Sequence, residues 1–533
     1  MESKRQLLSG NEAVAWAAKD AGVRLGAGYP GTPSTEILEA LGALGGPAEW
    51  SPNEKVALEV ALGAAYGNAR ALVTMKHVGL NVAADPLFTA AYTGAPGALV
   101  VVVADDPGMA SSQNEQDSRR YAVAAGVPML EPADSQEAYS MTIEAMHLAE
   151  QWLLPVLLRL TTRVSHSKSI VVRGEQAAPP PVGFVRDIPG RVMVPGHARQ
   201  AHRRLREKLR QAAAWSETPG CGTRLWNGRG GPVSSHPLGI VADGVAVLHA
   251  REAAPEAAVL QVRMVHPLPI EAIRQFAHSV ERCVVIEEGD PVLVDACRAA
   301  GILVAGKPEP FRFGELNVGR VRRILAGDTS PEPMPPAGKP PQLCAGCPHR
   351  TVFNLLRDMQ CIVSGDIGCY TLGALPPFDA MDTCVCMGAS IGVGLGLRHV
   401  LPDEEARRVV SVIGDSTFIH SGLTGIAEMV YNPPPTGHVV IILDNETTAM
   451  TGLQEHPGTG RNLCHEPATR LVLEDVCRAM GVPNVVVIDP GKEQVRLAET
   501  LGRALREGGL WVVVVRRPCL LSTIRQKKAE VQS

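Results

Sequence analysis

Aromatic residues make up only 4% of this 533-residue chain. A core with so few rings must be built from Val, Leu, Ile and Ala. Long apolar runs are also missing. The longest, Ala98 to Ala104, is the length of a strand and far too short to span a bilayer. Met1 to Asn11 holds no apolar stretch of signal-peptide length, so the expected location is cytoplasmic, with no membrane contact. There is no excess of positive charge: the formal net charge is −4, which removes the electrostatic reason to expect a nucleic-acid partner. Hydrophobic residues at 45% and charged residues at 20% are ordinary for a globular protein. The length suggests about three domains.

Helical and strand-like segments alternate from Glu12 to Leu160. Strands are expected at Val23–Gly28, Ala71–Met75, Ala98–Ala104 and Pro155–Leu160, with helices at Glu12–Ala21, Ser34–Leu44, Glu54–Asn68 and Ser135–Gln151. Such alternation gives a parallel sheet with helices on both faces. Residues 174–236 are rich in Pro, Gly, Arg and Gln, with one helical stretch near His202–Ala214, and read as a linker. A second α/β unit follows at 237–330. A proline-rich break then precedes a third at 340–533, with strands at Ile362–Ser364, Val409–Ile413, His438–Leu443, Val485–Ile488 and Trp511–Val515. The fold class is therefore α/β, with three doubly wound parallel-sheet domains. The first and third are alike in size and style.

The strand Val409–Ile413 ends in Gly414-Asp415-Ser416. After a helix (Gly422–Tyr431) the next strand ends in Leu443-Asp444-Asn445-Glu446-Thr447. Both clusters lie at the C-terminal edges of strands, where open α/β sheets bind ligands. Asp415, Asn445 and the Thr447 carbonyl are hard oxygen donors suited to Mg²⁺, which completes its shell with phosphate oxygens. Gly414 lets a pyrophosphate approach closely. In the first unit Ser51-Pro52-Asn53-Glu54 opens a helix. The same pattern is also a capping box, in which Glu54 does no more than satisfy the helix start. Gly28-Tyr29-Pro30-Gly31-Thr32-Pro33-Ser34 joins a strand to a helix, and Thr32 there is also a plain N-cap candidate.

Twelve cysteines in a cytosolic chain are poor candidates for disulfides. Cys344-Ala345-Gly346-Cys347-Pro348-His349-Arg350 contains a Cys-x-x-Cys that fits zinc, a redox dithiol or an iron–sulfur cluster equally well. Further cysteines stand at Cys369, in Gly365-Asp366-Ile367-Gly368-Cys369-Tyr370, and at Cys519 after Pro518. Cys384 and Cys386 precede a helix. Cys221, Cys283, Cys297, Cys361, Cys464 and Cys477 read as ordinary core or surface thiols.

The Gly-Asp-Ser and its following Asn resemble the diphosphate motif of thiamine-diphosphate enzymes. Asn53-Glu54-Lys55, Lys76-His77-Val78-Gly79-Leu80-Asn81, the Cys344–Arg350 segment and Thr448-Ala449-Met450-Thr451-Gly452 resemble the alpha subunit of indolepyruvate:ferredoxin oxidoreductases, over nearly the whole chain. The resemblance implies a pyrimidine-binding domain (1–173), a transketolase C-terminal-like domain (237–330) and a diphosphate-binding domain (340–533). It implies Glu54 as the activating carboxylate, with Gly63 nine positions on, and gives Glu59 the wrong spacing for that role. It also implies His77 facing the cofactor, Thr32 contacting the substrate's carboxylate or 2-oxo group, and Gly414, Asp415, Ser416, Asn445 and Thr447 around Mg²⁺ and thiamine diphosphate. Cys344, Cys347, Cys369 and Cys519 are implied as ligands of one [4Fe–4S] cluster. The implied reaction turns an aryl 2-oxoacid and CoA into aryl-acetyl-CoA and CO₂, with electrons passing to ferredoxin. The implied partner is a smaller beta subunit in a hetero-oligomer. The alternative is a non-redox thiamine-diphosphate decarboxylase. The family usually ends in a module with two Cys-x₂-Cys-x₂-Cys-x₃-Cys-Pro runs, and this sequence stops at Ser533 without them. Electron exit is therefore expected through another polypeptide or a different acceptor.

Overall fold

The computed structural model describes residues 4–174, 176, 178, 180–228, 230, 233, 236–333 and 341–525. The chain divides into two compact units, Met1–Pro333 and Met334–Ser533. No helix among the described residues is long and apolar enough to cross a membrane.

The second unit is built on one six-stranded parallel sheet. Its order across is Thr383–Cys384, Ile362–Gly365, Val409–Gly414, His438–Asp444, Leu510–Arg516, Asn484–Ile488. The strand His438–Asp444 shows why the apolar runs are continuous. Val439, Ile441 and Leu443 point into one buried cluster, and Val440 and Ile442 into another on the opposite face. Side chains alternate between faces, and both faces are covered by helices, so Val439 to Leu443 are apolar without a break.

The first unit holds a seven-stranded sheet, ordered Met264–His266, Met129–Leu130, Val156–Thr161, Leu99–Asp105, Ala71–Lys76, Leu25–Gly28, Ala48–Trp50. All neighbours are parallel except the edge strand Met264–His266, which pairs antiparallel with Met129–Leu130. A four-stranded sheet runs Arg282–Ile286, Leu238–Asp243, Ala258–Val262, Thr223–Asn227. A separate antiparallel ribbon pairs Lys4–Ser9 with Lys168–Arg173. Ser9 then starts the helix Gly10–Asp20 with a reciprocal cap: its hydroxyl accepts from the Glu12 N–H, and its own N–H donates to the Glu12 carboxylate at 2.7 Å.

Three expectations need correction. The stretch 174–236 is more than a linker. It carries the helix Pro195–Ser216 and the strand Thr223–Asn227, which closes the edge of the four-stranded sheet antiparallel to Ala258–Val262. The strand Met264–His266, from the segment read as the second domain, joins the first sheet. The helical segment after Gly414 begins at Asp415, not Gly422, and passes through a π-turn at Phe418–Gly422 into Leu423–Tyr431. Such π-turns concentrate at functional sites.

Within the first unit a sealed charge network joins the seven- and four-stranded sheets. Arg119 donates to Asp117, to Asp243 (2.7 Å) and to Glu287 (2.6 Å), and Arg159 to Asp105 and Glu131 (both 2.7 Å). Every side chain in it is almost fully buried. Two guanidiniums face these five carboxylates. Burial, together with the neighbouring carboxylates, pushes Glu131 up to about 7 and Asp243 up to about 6, even against the pull of the arginines. Each keeps one oxygen without a hydrogen-bond partner.

Candidate active site

In the six-stranded sheet the chain runs from Ile362–Gly365 outward to Thr383–Cys384, then crosses back to Val409–Gly414 on the other side. The loops after Ile362–Gly365 and Val409–Gly414 therefore leave in opposite directions and open a crevice at their C-terminal edges. Crevices of this kind are where open α/β sheets take ligands. Asp366 follows the first strand and Asp415 the second.

Asp415 is 3% exposed. Its carboxylate accepts from the Ser416 N–H (2.9 Å), from the Glu446 N–H (2.8 Å) and from His456 Nε2 (3.2 Å). The His456 ring is held in that tautomer because its Nδ1 accepts from the Gly458 N–H at 3.1 Å. Burial pushes the Asp415 carboxyl up, but His456 and the backbone bond outweigh it and leave the group below its ordinary value. The Glu446 bond ties the Asp415 turn to the 445–447 loop, and Glu446 itself takes a left-handed φ of 59°. Asn445 Oδ1 accepts from the Thr447 N–H at 3.2 Å, and Thr448 donates to the Ser416 hydroxyl at 2.9 Å. Gly414, Asp415, Ser416, Asn445 and Thr447 are thus in one place. A Cβ on Gly414 would stand 2.6 Å from the Tyr370 ring, so only glycine leaves this turn its course.

Asp366 stands in the Gly365–Tyr370 segment beside Cys369. It accepts from the N–H groups of Ile367, Gly388 and Ser390 at 2.9–3.0 Å, so it fastens the start of the helix Ala389–Val400 to the crevice. His456 was not identified in the sequence. Only its place in the loop following Thr447 hinted at it.

Cys344, Cys347, Cys369 and Cys519 line one pocket, together with Asn445 and His349. Cys519 is brought there because its N–H donates to the Asn445 carbonyl at 3.0 Å. Burial, then the neighbouring Cys519, Cys347 and Cys344, pushes the Cys369 thiol up to about 11. Burial lowers His349 to about 4, so that ring is neutral. No group of three or more His, Cys, Asp or Glu side chains among the described residues forms a site for a metal ion. Cys384 and Cys386 are exposed and lie outside the pocket lining, and Cys283, Cys297 and Cys477 are buried.

The first unit's sheet has a crevice of the same kind. From Leu25–Gly28 the chain passes outward to Ala48–Trp50, then back across to Ala71–Lys76. The loop carrying Thr32 leaves the first of these strands, and Lys76-His77 ends the last. The capping-box reading of Ser51 and Glu54 fails here. Asn53 is the N-cap, its Oδ1 accepting from the Val56 N–H at 2.9 Å, and Glu54 is the first helical residue. Ser51 instead gives its N–H to the Gly28 carbonyl, and its hydroxyl is buried without a partner. Glu54 is 5% exposed, and a Cβ on Gly79 would stand 2.5 Å from its Oε1. Glu59 is exposed and paired with Lys55 one turn along. Thr32 is not a helix cap either, for the helix Thr35–Ala43 starts after Ser34. His77 is 1% exposed; its Nε2 donates to the Asn114 carbonyl at 3.2 Å, which leaves Nδ1 a buried acceptor without a partner. Burial lowers its pKa and keeps it neutral.

Residues 16–179 match the family model described as pyruvate flavodoxin/ferredoxin oxidoreductase, thiamine diphosphate-binding, and residues 366–515 match that of the thiamine pyrophosphate enzyme C-terminal TPP-binding domain. The chain is 39% identical to indolepyruvate oxidoreductase subunit IorA of Archaeoglobus fulgidus over 99% of its own length and 89% of that protein. It is also 39% identical to IorA of Methanothermobacter thermautotrophicus, over 98% and 88%. Among solved structures, the 2-oxoglutarate:ferredoxin oxidoreductase of Magnetococcus marinus, with 2-oxoglutarate, coenzyme A and succinyl-CoA bound, superposes with a TM-score of 0.51 at 17% identity. That match covers 61% of this chain and 65% of the other, and it shows the shared fold. Identity at this level over nearly the full length of both chains settles the relation: this is a thiamine-diphosphate oxidoreductase chain of the indolepyruvate oxidoreductase subunit IorA family.

Proposed function

We propose that the chain is the large subunit of an enzyme that oxidatively decarboxylates an aryl 2-oxoacid, such as indolepyruvate or phenylpyruvate. With CoA the products are the aryl-acetyl-CoA, CO₂ and two electrons for ferredoxin or another low-potential acceptor. The observation that carries this reading is the Glu446 N–H bond to Asp415 (2.8 Å), which ties together two strand-end loops at a switch-point crevice, while Asn445 from the same loop lines the four-thiol pocket. A diphosphate-and-metal crevice and a thiol pocket that share a residue suit a decarboxylation whose electrons must leave.

The residues present fit the groups the family implies. Asp415 stays ionised in a buried place, as a Mg²⁺ ligand must. Gly414 lets the turn into Asp415 pass close against the Tyr370 ring. In the first unit Ser51 Oγ, Thr35 Oγ1 and His77 Nδ1 are buried without hydrogen-bond partners. Four thiols around one pocket are the donor set of a [4Fe–4S] cluster.

Thiamine diphosphate supplies, when bound, a carbon nucleophile and a ring that accepts the electron pair released with CO₂. In this reading Asp415, Asn445 and Thr447 hold Mg²⁺, with Gly414 and Ser416 against the diphosphate. Glu54 holds a proton between its carboxylate and the aminopyrimidine ring. His77 accepts a hydrogen bond at Nδ1. Thr32 donates its hydroxyl to the carboxylate or 2-oxo oxygen of the substrate. Cys344, Cys347, Cys369 and Cys519 hold the cluster, a one-electron carrier. A smaller beta subunit and a ferredoxin-like protein complete a cytoplasmic hetero-oligomer.

The test is anaerobic purification with the small subunit, followed by iron and thiamine analysis. About four irons and one thiamine diphosphate per large chain are expected. Thiamine diphosphate with stoichiometric zinc and no iron favours the non-redox decarboxylase instead.

A further inference from the structure

The first unit's crevice contains a cation that the reading above leaves unused. Lys76 ends the strand Ala71–Lys76, next to Leu25–Gly28, at the point where the loops diverge. It is 8% exposed. Its ammonium donates to the Ser111 carbonyl at 2.7 Å and the Ser111 hydroxyl at 3.3 Å, both neutral acceptors. Among the described residues no ion pair is formed by Lys76.

The nearby acids are engaged elsewhere. Asp106 accepts from the Ser111 N–H (2.8 Å), the Ser112 hydroxyl (2.6 Å) and the Thr162 hydroxyl (2.8 Å). Asp105 is bound to Arg159 at 2.7 Å. A buried ammonium with no carboxylate against it is costly, and a ligand carboxylate would supply the missing charge. Burial accordingly lowers its pKa, with Asp106 offsetting only part of the effect.

The surroundings say which ligand. Gly31 lies directly on Lys76, since a Cβ there would be 3.1 Å from Lys76 Cβ. The Ser111 hydroxyl that Lys76 contacts also reaches the Thr32 carbonyl at 3.5 Å. Lys76 therefore borders the loop whose hydroxyl is assigned to the substrate. We propose that Lys76 takes the carboxylate of the 2-oxoacid, beside Thr32. The inference rests on the proposed function and narrows it to one group. It also constrains the kinetics. A cation paired with a carboxylate stabilises the bound substrate before that carboxylate departs as CO₂. Its binding energy therefore appears in KM and not in kcat.

The test uses the anaerobic complex with its small subunit, carrying Lys76→Met, Lys76→Gln or Lys76→Arg. Phenylpyruvate is the substrate, and 3-phenylpropanoate and 3-phenylpropanamide are the competing ligands. Met and Gln should raise the KM for phenylpyruvate about 30- to 100-fold, the loss of one buried charged hydrogen bond, with kcat within about fivefold. Thiamine content and Tm should be retained, and Arg should recover most of the loss. Wild type should prefer the propanoate to the amide, and Met or Gln should abolish that preference. Either uncharged variant with full thiamine content decides the matter. An unchanged KM, a preserved preference for the carboxylate, or a rise confined to the KM for CoA overturns the assignment. Wild-type protein that consumes no 2-oxoacid would instead overturn the proposed function.

Discussion

The seven-stranded sheet of the first unit and the six-stranded sheet of the second contain the same strand order. Ala48–Trp50, Leu25–Gly28, Ala71–Lys76, Leu99–Asp105, Val156–Thr161, Met129–Leu130 matches Thr383–Cys384, Ile362–Gly365, Val409–Gly414, His438–Asp444, Leu510–Arg516, Asn484–Ile488 position for position. Each has its crevice after the same pair of strands. The residues at them differ. One crevice is lined by Asp366, Asp415, Asn445 and backbone N–H groups, the other by Lys76, His77 and Thr32, with Glu54 nearby. The comparison teaches that topology fixes where a ligand goes, and that the few residues just past the strand ends fix which part of the chemistry is done there. Under the proposed function the second unit's crevice would take the diphosphate and its metal, and the first unit's would act on protons and the substrate.

The largest effect that separates the two crevices is expected from Glu54→Gln. Asn53 is the cap, so a glutamine at the first helical position leaves the helix start intact. Stability should change by less than about 1 kcal/mol while turnover falls about 10²- to 10⁴-fold. Thermal melting and steady-state rates check both halves. Near-normal turnover would mean that the first crevice has no acid–base role.

A smaller effect tests whether the first unit's buried charges are structural and separate from its crevice. Asp243 and Glu131 titrate higher in the folded chain than in the unfolded one, because burial and neighbouring carboxylates disfavour their ionised forms. The folded state therefore holds extra protons between the ordinary carboxylate range and about pH 7, and their contribution to stability declines as pH rises through that window. Asp243→Asn removes one of the two charges. Relative to wild type, the variant should be no more stable at pH 5 and more stable at pH 8, by on the order of 1–3 kcal/mol. Melting curves at the two pH values measure it, and a difference that does not change with pH would refute it.

Much of this was legible in the sequence because strand ends announce themselves. Gly414-Asp415-Ser416 and Asn445 follow continuous Val/Ile runs that only buried parallel strands produce. The four cysteines converge because their loops leave the same region of one unit, and a resemblance could carry that where spacing could not. Other parts had no local signature. The strand Thr223–Asn227 sits in a Pro- and Gly-rich stretch, and its pairing is set by a partner more than thirty residues away. In the Arg119 network a single hydrogen bond joins residues 168 positions apart. The cap at Asn53 was hidden by a better-looking pattern at Ser51. Lys76 was in view but unassigned, because an unpaired charge is a property of the fold around it and not of the sequence.

Titrating thiamine diphosphate with Mg²⁺ into Asp415→Ala and Glu54→Gln side by side decides whether the second unit's crevice alone anchors the diphosphate. Affinity should fall at least about 100-fold in Asp415→Ala, as expected when a charged metal ligand is removed, and change only a few-fold in Glu54→Gln. Wild-type affinity in a folded Asp415→Ala protein would contradict it.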